Sequence, residues 1–411
     1  MIRKRRRMLR WETVFWLVVP LNFLLIDRGM AQPWQLTPKL TISERYEDNV
    51  LMAEDNPETD TVTTVTPGLS LAFKEETIKV SAEYAAAVEQ FARHSNLDNV
   101  GHTASFEFEK DRLFGSKTTS VSLRNTFQYL PQPLTGLEGN QGAPTVPVPS
   151  AAGIGLPRNN TWTNTAALTL THLYSARLTE RIEYLNSITR FELPTLIDSN
   201  IHEGTAEAIY QLDPNSEVSG SYRFRYFDFV QNDVDDATSH ALMVGVTHRF
   251  SPTLSITIKL GPSYAIQSEQ HNLTPIGMVH LSKTAEKLEI IADYSRDVSD
   301  LTGLSAQLAT TQTATAGLSY AVTQKARATL SAGLADNETI TGESRFRKRE
   351  QKIVSWTIRS GLSYQILTWL SAEVRYYHFE QREKGLAGNN LSQDQYVLSL
   401  TGSIPWKFGG E

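Results

Sequence analysis

From residue 36 to residue 408 the chain repeats one pattern, apolar and polar positions in alternation, with almost no helical period. Leu254, Ile256, Ile258, Leu260, Pro262 and Tyr264 fall on one phase, and Ser255, Thr257, Lys259 and Ser263 on the other. Val218, Gly220, Tyr222, Phe224 and Tyr226 alternate with Ser219, Ser221, Arg223 and Arg225. Ile78, Val80, Ala82, Tyr84, Ala86 and Val88 alternate with Lys79, Ser81, Glu83 and Glu89. Successive side chains of a strand point to opposite faces, so each run reads as a strand with one apolar face. Eighteen are predicted, near 36–46, 61–73, 77–92, 102–111, 117–130, 161–174, 178–193, 202–212, 217–230, 238–250, 253–267, 273–283, 287–298, 308–322, 326–337, 351–366, 369–383 and 392–408.

The connections alternate too. Short turns at Lys74–Glu76, Arg112–Ser116, Ser175–Arg177, Asp213–Ser216, Ser251–Pro252, Thr284–Glu286, Thr323–Lys325 and Leu367–Thr368 interleave with longer links. The longer links are 47–60, 93–101, 131–160, 194–201, 231–237, 268–272, 299–307, 338–350 and 384–391. In lipid every backbone amide needs an internal partner, so a membrane-spanning sheet must close on itself. Transmembrane strands of ~9–11 residues, even strand numbers, short periplasmic turns and longer outer loops are the attributes of bacterial barrels. The pattern predicts an all-β, antiparallel up-and-down transmembrane barrel of about 18 strands with both termini periplasmic. A soluble propeller is the alternative, since each hairpin repeat takes about the ~40–45 residues of a blade. A blade packs four short strands into that length, whereas this chain spends it on two long ones. Phe73, Tyr84, Tyr129, Trp162, Tyr174, Phe250, Tyr264, Tyr320, Trp356, Trp369 and Trp406 fall near segment ends, where interfacial aromatic girdles belong.

Composition fits once the alternation is known. The chain has 411 residues, 40% hydrophobic and 20% charged, with no cysteine. Mean hydropathy is −0.30. Those figures exclude a polytopic helical membrane protein, a disulfide-stapled scaffold and any thiolate site. Trp 7, Tyr 15 and Phe 16 argue against disorder.

Residues 1–31 stand apart. Arg3-Lys4-Arg5-Arg6-Arg7 precedes the apolar run Thr13 to Ile26, and small residues follow up to Ala31. This is the pattern of a secretory signal peptide cleaved after Ala31, leaving 32–411 as the barrel. An uncleaved anchor is the alternative, disfavoured by a short run that contains Pro20 and Asn22. The segment carries seven Lys/Arg and two acids, so without it the chain holds 32 basic and 43 acidic residues, a net −11. Nucleic acid is a poor partner for such a surface.

If the apolar phase meets lipid, the polar phase lines a lumen. The candidate pore-lining residues are Lys79, Glu83, Glu107, Arg124, Arg223, Arg225, Lys259, Arg359, Glu373 and Arg375, with Glu89, Glu109, Arg181, Glu183, Arg249, Glu289, Asp293 and Arg327 on the same faces. Barrels of this size enclose water, and charges of both signs imply no dominant ion preference. The alternative for each is simple mutual pairing along the wall. Residues 131–160 carry six prolines and five glycines. As the third outer loop, they are expected to fold inward and narrow the channel, a mobile external loop being the alternative.

Residues 47–60 hold Glu47, Asp48, Glu54, Asp55, Glu58 and Asp60 without a base, and residues 233–236 read Asp-Val-Asp-Asp. Neither has the spacing of a calcium loop, and solvated carboxylates are expected. The cluster Arg345, Arg347, Lys348, Arg349 could meet lipopolysaccharide or an acidic polymer, or be solvated. Nine scattered histidines show no zinc spacing, and no nucleophile elbow or phosphate-binding glycine loop is present. No catalytic, cofactor or metal residue is assigned.

The first hairpin contains Pro38-Lys39-Leu40, Tyr46-Glu47-Asp48-Asn49-Val50 and Pro67-Gly68-Leu69. This series resembles the opening of the outer-membrane family called β-barrel porin type 2, often associated with exopolysaccharide export systems. The resemblance implies a Gram-negative outer-membrane location and a passive channel serving exopolysaccharide export. It also implies outer-membrane lipid and lipopolysaccharide, the outer-membrane assembly machinery and polysaccharide-export components as partners. The C-terminus departs from barrels that finish on an aromatic residue, because Gly409-Gly410-Glu411 follows Trp406-Lys407-Phe408. Two other readings stay open, a structural or adhesin-like barrel without an open pore and an outer-membrane hydrolase.

Overall fold

The computed structural model describes residues 34–131, 153–156, 158–230, 235–268, 270–301, 303–340, 352–384 and 390–408. The expected leader, residues 1–31, and the basic cluster at 345–349 lie outside them. The strands are β1 (Trp34–Glu47), β2 (Asp60–Lys74), β3 (Ile78–Phe91), β4 (Asn99–Lys110), β5 (Thr119–Leu130) and β6 (Thr161–Leu173). They continue as β7 (Leu178–Phe191), β8 (Ser199–Asp213), β9 (Ser216–Phe229), β10 (Ala237–Ser251), β11 (Leu254–Gln267) and β12 (Gln270–Thr284). The remainder are β13 (Leu288–Asp300), β14 (Leu308–Ala321), β15 (Ala326–Thr339), β16 (Lys352–Leu367), β17 (Leu370–Lys384), β18 (Leu391–Ser403) and the short β19 (Trp406–Phe408).

Each strand from β1 to β17 pairs antiparallel with the next, and β1 also pairs with β18 and β19, which closes the sheet. Ile404-Pro405 interrupts the last stave, and β19 resumes it opposite β1, with Phe408 facing Trp34. The architecture is thus an all-β antiparallel barrel of eighteen staves. Where a longer link was expected at 268–272, β11 runs to Gln267 and β12 already begins at Gln270. His271 and Asn272 belong to β12, and both of its phases are polar there, which hides the strand from a search for alternation.

The two phases face different surroundings. On β10, Leu242, Val244 and Val246 are exposed on the outside, Val244 by 72%, whereas Ala241 on the other phase is 1% exposed. The inward phase is tied by hydroxyl pairs between neighbouring strands, including Thr41–Thr401 at 3.0 Å, Ser239–Ser263 at 2.9 Å and Thr247–Thr257 at 2.9 Å. Such pairs satisfy polar groups on a wall where an unpaired one would be costly.

Apolar packing is concentrated at the long-loop end. Val50 of the first long loop packs with Val62 and Phe91, and Met52 with Phe379 and Leu391. Ile154 and Leu156 join Phe191, Leu196, Leu301, Ala309 and Ile353. The largest cluster gathers Ile201, Phe227, Phe229, Ile276, Val298 and Leu308. Long loops therefore turn into the barrel mouth and bury their apolar side chains there.

The outward phase sets a sharp test. Ala314 points outward and Thr315 inward, opposite Asp293. Ala314→Arg is expected to lower unfolding free energy by about 2–4 kcal/mol, the cost of a cation against mid-membrane lipid. Thr315→Arg, one residue on, should cost under about 1 kcal/mol. Urea unfolding in lipid vesicles measures both, and equal costs would contradict the assignment of faces.

Candidate functional site

The inward phase carries the chemistry of the barrel. All ten candidate pore-lining residues occupy it. Lys79 Nζ meets Glu109 Oε2 at 2.7 Å, and Arg124 Nη2 meets Glu107 Oε1 at 2.8 Å. Glu83 lies opposite Ser70 and Ser105. The Arg359 guanidinium stands 5.3 Å from the Tyr377 ring centroid, and Glu373 lies 3.6 Å from Arg375 Nε. These seven are distributed along the wall rather than gathered.

Arg223, Arg225 and Lys259 do converge. With Arg181, Glu183, Glu203, Glu207, Asp293 and Asp297 they line a cavity of about 590 Å³ inside β7–β14. Arg225 pairs with Glu203, and its Nη1 also donates to Asp297 Oδ2 at 2.9 Å and to the Val298 carbonyl at 2.8 Å. Arg223 pairs with the other Asp297 oxygen. Lys259 pairs with Glu207, which also lies 3.8 Å from Arg181. His280 Nδ1 is 2.6 Å from Asp293. Cations and carboxylates are so interleaved that the cavity offers no uniform field, and it suits a hydrophilic, uncharged or zwitterionic molecule better than a simple ion.

Asp297 reaches β9 where the top of β13 parts from β12 while remaining paired with β14. Pairing between β12 and β13 stops at Gly277 opposite Arg296, although both strands continue. Val298, Ser299 and Asp300 are buried, and Val298 joins the inward apolar cluster. The following loop, read from sequence as a polar outer link, is drawn inward. Gln267 Nε2 donates to the Ala306 carbonyl at 2.6 Å, and the Ile197 amide donates to Gly303 at 2.8 Å. Gly303 has φ +83°, and a Cβ there would come within 2.6 Å of the Phe191 ring, so the turn requires glycine.

The described part of the 131–160 loop also crosses the mouth. The Gly155 amide donates to Gln381 Oε1 on β17 at 2.7 Å, and the backbone lies so near Phe379 that a Cβ would approach to 2.8 Å. Arg158 reaches β3, with Nη2 3.1 Å from Glu89 Oε2 and the guanidinium 4.5 Å from the Phe91 ring centroid. Glu89 also receives Arg45 at 3.0 Å, and Arg45 pairs with Glu47. Residues 132–152 lie outside the described residues.

Several participants were absent from the sequence reading. Glu203, Glu207 and Asp297 share the inward phase of β8 and β13, so strict parity would have found them. Arg158, in a link, carried no periodic signal, although its partner Glu89 lay on the inward phase read from the alternation. The acidic first loop is not simply solvated either, since Glu47 and Asp60 are buried, 1% and 2% exposed. Asp60 accepts from the amides of Thr61, Arg93 and His94, and its Oδ2 lies 2.7 Å from His94 Nδ1. His94 Nε2 is 2.6 Å from Glu58, so this residue of the second long loop clasps the first. Hydrogen bonds to Glu58 and then Asp60 raise the His94 pKa above its ordinary value. Burial alone would push the Asp60 carboxyl up, but hydrogen bonds from His94, Thr61 and Arg93 outweigh it and hold the pKa below the usual carboxylate range. Among the described residues, no group of three or more His, Asp or Glu is placed to hold a metal ion.

No protein-family model and no curated protein matches the chain. Among solved structures it is similar to Pseudomonas aeruginosa OccK2 (OpdF), at 9% identity and a TM-score of 0.46, over 92% of this chain and 98% of that one. Acinetobacter baumannii OccAB4 gives 11% identity and a TM-score of 0.45, over 92% and 100%. The siderophore receptor PirA from Pseudomonas aeruginosa gives 12% identity and a TM-score of 0.43, over 92% and 81%. The barrel itself rests on the strand pairing described above.

The loop clasp has a defined pH window. The raised His94 pKa gives stabilisation that is full below about pH 6.5 and lost as pH rises through the folded value. The depressed Asp60 pKa gives stabilisation present above about pH 3.9 and lost as pH falls through the folded value. Amide-exchange protection of residues 92–98, corrected for intrinsic rates, should therefore be greatest between about pH 4 and about pH 6.5. His94→Ala should flatten the dependence above that window; an unchanged profile would show that the clasp does not hold the loops.

Proposed function

We propose that this chain is an outer-membrane porin, a passive channel for a hydrophilic solute, with the long loops outside the cell and both termini in the periplasm. The observation that carries the reading is a closed barrel with an apolar outer face and an ion-paired, hydroxyl-lined interior. Lys79, Glu83, Glu107, Arg124, Arg223, Arg225, Lys259, Arg359, Glu373 and Arg375 are its pore-lining residues in this reading. In this reading the narrowest passage lies at the mouth, where residues 153–156, 158–160, 297–301 and 303–308 fold inward. Export of an exopolysaccharide is the finer proposal. It is supported by the resemblance of the first hairpin and by a lumen whose charges are largely matched, which suits a hydroxyl-rich chain. No group in the lumen is assigned a chemical step.

A second reading, a barrel with no open pore, is favoured by one observation, the apolar clusters packed across the mouth. Single-channel conductance in planar bilayers separates the two. The porin reading expects discrete conductance steps from wild type, and at least about twofold larger steps from the double variant Arg158→Ala/Asp297→Ala, which loses charge-assisted contacts of roughly 1.5–3 kcal/mol each. Absence of steps in both proteins would favour the closed barrel. Steps of unchanged size would place the constriction elsewhere.

A further inference from the structure

One device recurs on the outward face. A tyrosine on the strand rising toward a long loop is hydrogen-bonded across the hairpin to a polar side chain on the descending strand. Tyr84 bonds His102 at 2.9 Å, Tyr184 bonds His202 at 2.7 Å and Tyr222 bonds His240 at 2.8 Å. Tyr294 bonds Gln312 at 3.2 Å and Tyr376 bonds Asp394 at 2.7 Å. In all five the partners are 18 residues apart. A sixth pair, Tyr264 and His271 at 2.9 Å, spans the tight turn. Ordinary interfacial girdles use Trp and Tyr, so four imidazoles in lipid-facing phase call for another account.

Two of the pairs form one patch. His240 of β10 lies directly opposite Tyr264 of β11, whose hydroxyl bonds His271 of β12. In both imidazoles Nδ1 is engaged by a tyrosine, and Nε2 has no hydrogen-bond partner among the described residues. Immediately toward the short-turn end lies an apolar groove of about 660 Å³ on the same outer face. Tyr222, Leu242, Val244, Leu260 and Gly220 line it, as does Glu180, whose carboxylate accepts from the Tyr174 hydroxyl. The rim offers ring nitrogens to a polar headgroup, and the groove below offers a bed for a hydrocarbon chain.

We infer that this patch binds one phosphorylated, acylated lipid of the outer leaflet, lipid A, with phosphate at His240 and His271 and an acyl chain along the groove. The phosphate is chosen over a neutral headgroup because each imidazole, its Nδ1 taken by a tyrosine hydroxyl, presents Nε2 on the rim, and a phosphate offers several charged acceptor oxygens to such donors. The inference rests on the outer-membrane reading. The two are tested separately, because lipid capture is measured in vitro and the barrel by heat-modifiable gel migration.

The experiment reconstitutes the full chain in phosphatidylcholine vesicles doped with diphosphoryl lipid A, its dephosphorylated form, or phosphatidylglycerol, and counts lipid retained after detergent extraction by native mass spectrometry. Wild type should retain diphosphoryl lipid A about tenfold over the dephosphorylated form, the scale of a charge-assisted hydrogen bond. His240→Phe/His271→Phe should abolish that preference while heat-modifiable migration persists. Gly220→Leu fills the groove, and a Cβ at Gly220 meets nothing within 4 Å, so the barrel should tolerate it. It should reduce retention of both lipid A forms alike. Equal retention by folded wild type and double variant would overturn the site. Preferential retention of phosphatidylglycerol would overturn the assignment to lipid A.

Discussion

A sheet in lipid has no tolerated edge, and nearly everything else in this molecule follows from closing it. The closing seam joins β1 to β18 over nine registered pairs, from Lys39 opposite Ser403 to Glu47 opposite Gln395, and β19 extends it at the far end. Prolines test the rule, because each removes a ladder donor. Pro67 sits where the β2–β3 register skips from Val65 to Gly68, and Pro262 where the β10–β11 register skips from Ala241 to Val244. Pro275 lies just beyond the last β12–β13 pair. At the first two sites the wall resumes. At the third the β12–β13 ladder does not resume, and the end of β13 stays paired with β14 while Asp297 turns to Arg223 and Arg225.

Closure also separates two environments along every strand. Outside, alternate residues need only be apolar, which is why a modest hydrophobic fraction suffices. Inside, the wall is crowded with ionised groups, and its observed solution is local pairing: Lys79 with Glu109, Arg124 with Glu107, Lys259 with Glu207. Surface-like pairs of this kind contribute little individually. The Arg223–Asp297–Arg225–Glu203 group is different, because it ties β9 to the end of β13 that has parted from β12. The mouth thus combines charge pairing at its sides with apolar packing across its centre.

What could be read from the sequence is what a period of two can express. The staves, their phases and the inward placement of the ten charged candidates follow from local alternation, and pairing follows from chain order. The inward turn of the link after β13 did not, because Leu301 and Leu304 sit in a stretch without period, where an apolar residue in a link is the only sign that the link turns inward. The outward tyrosine pairs were hidden for another reason. Each partner is unremarkable in its own strand, and the relation appears only when two strands are laid in register across links of similar length at 92–98, 192–198, 230–236, 301–307 and 385–390.

Register is what binds these layers together. On β9, Arg223 and Arg225 point inward while Tyr222 and Phe224 point outward, so a slip of one residue would exchange them. Two arginines would then face lipid, at about 2–4 kcal/mol each near mid-membrane, and Asp297 would lose both partners. The β8–β9 turn resists that slip: the Asn215 amide donates to Asp213 Oδ1 at 2.8 Å, and the Arg249 amide of β10 donates to the Asn215 carbonyl at 2.8 Å. The same register that brings Tyr222 to His240 outside brings Arg223 and Arg225 to Asp297 inside. Lumen and lipid face are therefore not independent designs on one scaffold; a single pairing frame specifies both, and neither can shift without the other.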